Sequence, residues 1–153
     1  MDRQSTKHFS CVWIAVCFAL VLSLAAPVTA EYMNTALTDT NDPAYWIDLG
    51  GLYATYGSYT AAIKAYNKAL ELDADNSKAY FNRGLSYAET GDLNQALVDI
   101  NKAISLDMNQ SGYYYARGRV LLMSGQNDQA MLDFRKAAQM GDPDAMQYLD
   151  KMH

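Results

Sequence analysis

The side chains that could do covalent chemistry are few in this chain, and their positions do not suit it. Both cysteines, Cys11 and Cys17, lie in an apolar run near the start, and the two histidines are His8 and the last residue, His153. A hydroxyl or thiol nucleophile needs an adjacent base to activate it, and no internal His is present to serve. Metal chemistry is equally poorly supplied. Between residues 18 and 152 only carboxylates remain as hard ligands. The acidic cluster Asp73-Ala74-Asp75-Asn76 lacks the downstream Gly and Glu that an EF-hand Ca2+ loop needs, so it reads as a turn. A carboxylate pair could run a hydrolysis, but Asp92 and Asp99 are not distinguished from other surface acids. These residues point away from an enzyme and imply no cofactor and no metal.

The residues that recur are scaffold residues. Five columns repeat at a spacing of 34: Gly50, Gly84, Gly118; Gly57, Gly91, Gly125; Ala62, Ala96, Ala130; Lys68, Lys102, Lys136; and Ala69, Ala103, Ala137. A fixed period of this length marks a solenoid, in which no unit buries its apolar face alone. Each period resolves into two helices. Asp42-Pro43 supplies an N-cap with Pro at the first helical position, after which Trp46, Leu49, Leu52 and Tyr53 recur at helical spacing. Tyr56-Gly57-Ser58 stops that helix, and Ser58 is placed to cap a second one carrying Ala62, Ile63, Tyr66, Ala69 and Leu70 on one face as far as Leu72. The second and third periods repeat the scheme. Gly in mid-helix costs about 1 kcal/mol against Ala, so Gly50, Gly84 and Gly118 imply close helix approach, with Ala62, Ala96 and Ala130 as the opposing surface. Tyr66, Ile100 and Phe134 would fill the gap one turn on.

The first thirty residues differ in kind. Arg3 and Lys7 lead into an apolar run from Phe9 to Ala26, which Pro27 ends before Val28-Thr29-Ala30, small residues of the sort a signal peptidase reads. Residues 1–30 are read as a secretory signal with Glu31 as the mature N-terminus. The remainder is then exported, periplasmic or secreted, with a bacterial source favoured. An uncleaved anchor is the alternative, and only in that case is a membrane involved. Both cysteines fall in this segment, so packing alone must hold the mature fold. Removing Asp2, Arg3 and Lys7 leaves 10 basic against 16 acidic residues. That balance disfavours nucleic acid as a ligand.

The pattern resembles the tetratricopeptide repeat, W-x2-L-G-x2-Y followed by A, F, A and P. Trp46-Leu49-Gly50-Tyr53-Ala62-Tyr66-Ala69 carries the likeness in the first unit. Tyr80-Gly84-Tyr87-Ala96-Ile100-Ala103 carries it in the second, and Tyr114-Gly118-Leu121-Ala130-Phe134-Ala137 in the third. Arg83 and Arg117 replace the consensus Leu and are expected to run along the surface between repeats. The resemblance implies an all-α fold, an α-solenoid of three helix-turn-helix repeats at 43–76, 77–110 and 111–142. A flexible lead, 31–42, precedes them. A capping helix, 143–153, follows, and the run from Ala137 to Ala145 that leads into it is faintly similar to the start of a Sel1-like repeat.

The resemblance further implies a concave groove lined by the first helix of each pair. Carried over by position, its residues are Ile47, Gly51, Ala54 and Thr55; then Lys78, Phe81, Asn82, Leu85 and Glu89; then Tyr115, Arg119, Leu122 and Met123. Relatives that clamp a C-terminal carboxylate use Lys and Asn in the first repeat, Asn in the second, and Lys and Arg in the third; only Asn82 matches, and the other clamp positions here are Ile47, Gly51, Gly112 and Ala116. Trp46, Tyr53, Tyr66, Tyr80, Tyr87, Tyr114 and Phe134 occupy the packing columns and are expected in the core. Asn109-Gln110-Ser111 is a glycosylation sequon, meaningful only in a eukaryotic secretory route. The expected function is a non-enzymatic adaptor holding a protein or peptide ligand of the envelope or of secreted origin. Self-association into a homodimer is the alternative.

Overall fold

The computed structural model describes residues 41–152. The signal reading of 1–30 and all but the end of the lead at 31–42 lie outside the described residues. Among the described residues seven helices follow one another: α1 (Pro43–Thr55), α2 (Tyr59–Leu72), α3 (Ser77–Glu89), α4 (Leu93–Leu106), α5 (Ser111–Met123), α6 (Asn127–Gln139) and α7 (Pro143–Asp150). Among the described residues there is no strand.

Local chemistry sets the boundaries. Asp42 accepts a hydrogen bond from Ala44 N at 2.8 Å, with Pro43 opening α1. Gly57, Gly91 and Gly125 take φ of 72°, 87° and 78°, the left-handed region where a Cβ is penalised. At each, two backbone bonds close the preceding helix, as in Ser58 N to Tyr53 O at 2.8 Å and Gly57 N to Ala54 O at 3.0 Å. Asp92 caps α4 through Gln95 N at 3.2 Å, whereas the Ser58 side chain makes no capping bond on α2. The acidic cluster is a turn between repeats. Asp73 accepts from Asp75 N and Asn76 Nδ2, while Asn76 caps α3 through Ala79 N at 3.0 Å.

Paired helices meet at the glycine column. A Cβ on Gly84 would stand 2.9 Å from Ile100 Cγ1 and 3.1 Å from the Ala96 carbonyl oxygen. On Gly118 it would stand 2.8 Å from Phe134 Cε1 and 3.2 Å from the Ala130 oxygen, and on Gly50 it would overlap the Tyr66 ring. The close approach is as expected, but its partner differs. Tyr66, Ile100 and Phe134 lie directly over the glycines instead of one turn on, and Ala96 and Ala130 contribute their backbone oxygens. All three large side chains are fully buried. Of the other aromatics expected in the core, Trp46, Tyr80, Tyr87 and Tyr114 are half-buried. Tyr53 is 38 % exposed, because no described helix precedes α1 to cover that side.

The arginines do not run along the surface. Arg83 donates Nε and Nη2 to both carboxylate oxygens of Asp99 at 2.6 and 2.7 Å, and Nη1 to Asn67 Oδ1 at 2.6 Å. Arg117 repeats this with Asp133 and Asn101, each bond at 2.7 Å. Each arginine thus ties the two helices of its own repeat to the second helix of the repeat before. Asp99, read from sequence as one surface acid among many, is 2 % exposed. The signal was present, since Asn67/Asn101, Arg83/Arg117 and Asp99/Asp133 are three further columns at a spacing of 34. At the C-terminal end Gly141 closes α6, and Asp142 caps α7 through Ala145 N at 2.9 Å. Ala145 is then buried, with Tyr148 over Phe134 at a ring separation of 4.4 Å.

Candidate functional site

The first helices of the pairs form one layer, with α1 against α3 and α3 against α5. Two adjoining clefts run along it. The larger, about 320 Å³, lies between α1 and α3, where Gly51 and Ala54 face Asn82, Leu85 and Glu89. Tyr59 and Tyr66 reach it from α2, and Ser86 lies at its base. The smaller, about 20 Å³, lies between α3 and α5. Leu85 and Glu89 are shared with the first cleft, and Arg119 and Met123 stand opposite over Ala88, Ala116 and Val120.

The chemistry of this surface is plain. Its floor is apolar or small, and Ser86 satisfies its own hydroxyl by donating to Asn82 O at 3.0 Å. Burial raises the Tyr66 pKa above its ordinary value, so its hydroxyl stays protonated at any physiological pH. Glu89 and Arg119 are both exposed, and no ion pair among the described residues uses either. Among the described residues no group of three or more His, Cys, Asp or Glu is placed to hold a metal.

The residues expected in the groove divide into three sets. Asn82, Leu85, Glu89 and Arg119 line the two clefts together, with Gly51, Ala54 and Met123. Phe81, Tyr115 and Leu122 are half-buried and belong to the packed interior. Phe81 stacks on Tyr113 with ring centroids 4.5 Å apart, Tyr115 lies 5.6 Å from Phe134, and Leu122 packs against the cluster of Leu121 and Phe134. Ile47, Thr55 and Lys78 do not line these clefts. Ile47 is half-buried, Lys78 is exposed on the first turn of α3, and the exposed Thr55 donates its hydroxyl to Gly51 O at 2.9 Å. Tyr59, Ser86, Ala88 and Val120 line the clefts without having been expected. The column Tyr59, Leu93, Asn127 shares no residue type, so periodicity gave Tyr59 no signal.

A family model described as TPR repeat matches residues 50–91, and one described as tetratricopeptide repeat matches 77–107. Residues 50–107 are tetratricopeptide repeats. Helices α5 and α6 continue the same hairpin, glycine contact and arginine tie beyond the matched residues. No curated protein matches the sequence. Among solved structures, the first TPR of Spaghetti (RPAP3) bound to the HSP90 peptide SRMEEVD is 23 % identical with a TM-score of 0.68, covering 74 % of this chain and 91 % of that one. The second TPR domain of human RPAP3, in complex with the HSP70 peptide SGPTIEEVD, is 26 % identical with a TM-score of 0.64, covering 71 % and 96 %. MamA is also 26 % identical at a TM-score of 0.64, covering 72 % of this chain and 64 % of that one.

Proposed function

We propose that this chain is an exported, non-enzymatic interaction module that holds a peptide or helix of an envelope or secreted partner against α1, α3 and α5. The observation that carries the reading is the pair of adjoining clefts, whose apolar floor crosses all three repeats. A surface that is concave, largely preformed and edged by a few polar groups is suited to a ligand segment. The human RPAP3 domain of the same fold, 26 % identical, holds a peptide, which supports the same use here.

The test compares affinity capture by the wild-type protein with capture by a Leu85→Glu, Arg119→Glu variant, using solubilised envelope as the source. Both residues line the clefts and neither is fully buried. The expected result is a partner retained by the wild type and lost by the variant, with both proteins equally helical. Retention by both would overturn the placement of the site. Export is tested separately, by a mature chain whose mass begins at Glu31. One observation favours the self-associating alternative: Tyr45, Leu52, Tyr53 and Tyr56 are all exposed on α1 and the turn after it. Light scattering over a concentration series distinguishes the two, since a dimer would appear only for the second.

A further inference from the structure

We infer that the cleft at Gly51 is an anchor pocket for one lysine or arginine side chain of the bound segment, an inference that rests on the peptide-binding reading above. The starting point is a glycine with no packing reason to be there. Gly50, Gly84 and Gly118 each face a side chain that a Cβ would strike, whereas a Cβ on Gly51 would meet nothing within 4 Å. Gly51 lies inside α1, where glycine weakens a helix relative to alanine. In the same column the later repeats place Leu85 and Arg119. Omitting the side chain here leaves open the cleft of about 320 Å³ that Gly51 lines.

The walls of that cleft select among side chains. Ala54 and Leu85 offer apolar contact along its length, and Tyr59 and Tyr66 bring aromatic rings to it. Glu89 is the one formal charge among its lining residues, and Asn82 adds an amide. A long aliphatic stem ending in a cation uses every wall. The stem lies on Leu85 and Ala54, while the charge reaches Glu89, with Tyr59 also on the lining. A carboxylate would instead face Glu89 at the same sign, and a purely aliphatic group would desolvate Glu89 and Asn82 without replacing their bonds to water. The chain's net charge of −5 attracts a basic segment over distance. Arg119, beyond the shared Glu89 in the neighbouring cleft, disfavours a second cation there and so sets the register of the first.

The preference is thus opposite in sign to the acidic peptides held in the RPAP3 structures. Selection of random phage-displayed peptides against the purified protein tests it, followed by fluorescence anisotropy on the best synthetic peptide. Sequences sharing one Lys or Arg in an apolar context are expected. Glu89→Gln, which keeps the shape and removes the charge, should weaken that peptide about tenfold or more and erase the basic preference in a repeat selection. Gly51→Leu should abolish binding while the melting temperature holds or rises, a combination that a merely misfolded variant cannot produce. Enrichment of peptides without a basic residue, or an unchanged preference on Glu89→Gln, overturns the anchor and leaves peptide binding standing. An empty selection on the wild type overturns both.

Discussion

Asp99→Ala isolates what the arginine tie contributes. The substitution removes both carboxylate acceptors of Arg83, whose own side chain is 19 % exposed and whose partner's is 3 % exposed. Breaking a buried ion pair by deleting one partner costs about 3–5 kcal/mol, because the remaining charge is left desolvated. Arg83 keeps some water, its bond to Asn67, and Tyr80 and Tyr87 with ring centroids 5.4 and 6.0 Å from its guanidinium carbon. These contacts bring the cost to the bottom of that range or just under it, roughly 2–3 kcal/mol. For a domain of this size that lowers the melting temperature by roughly 8–12 °C. The first repeat shows the alternative the fold accepts, since Leu49 and Ala65 occupy the columns of Arg83 and Asp99. The double variant Arg83→Leu, Asp99→Ala should therefore recover most of the loss, to within about 1 kcal/mol of wild type. Urea denaturation followed by circular dichroism, run as a double-mutant cycle, measures it. A cost under about 1 kcal/mol for Asp99→Ala, or two single costs that add up to that of the double, would refute the claim that the pair acts as a buried unit.

A glycine of the packed column and the glycine that opens the cleft should respond with opposite sign. Gly84→Leu should destabilise by more than about 3 kcal/mol through overlap with Ile100 and the Ala96 carbonyl. Gly51→Ala should stabilise by about 0.5–1 kcal/mol, and thermal melts of the two decide it. Phe134→Ala should cost about 3–5 kcal/mol and free α7, since Tyr148 rests on that ring, with hydrogen exchange reading the loss of protection at 143–150. Phe81→Glu should lower stability as well as any binding, because the ring is half-buried on Tyr113, and an unchanged melt would show it to be a surface residue. Asp107 is held below its ordinary pKa, first by the hydrogen bond from Gln110 Nε2 and then by that from Asn109 N. Its contribution is present above the unfolded carboxylate value of about 3.9 and is lost as pH falls through the lowered folded value. Asp107→Asn should flatten the acid limb of the stability profile, and an identical limb in both proteins would count against this origin.

What the sequence by itself determined is everything with a local or periodic cause. Cap chemistry at Asp42 and Asp92, left-handed glycines at 57, 91 and 125, and apolar spacing set the helices. The period of 34 set their pairing, because each unit must bury its face on the next. The lack of His and Cys between residues 18 and 152 left nucleophile-base pairs and soft metal ligands without their side chains. Tertiary structure alone decided which side chains on a face turn inward. Phe81 and Tyr115 sit in groove columns by position yet are drawn into the interior by Tyr113 and Phe134, which no spacing along their own helices could reveal. Gly50 and Gly51 are adjacent and identical in type. Only the distance from each to the facing helix shows that one is required by packing and the other leaves a cleft open, because steric contact is a property of the assembled pair and not of either helix alone.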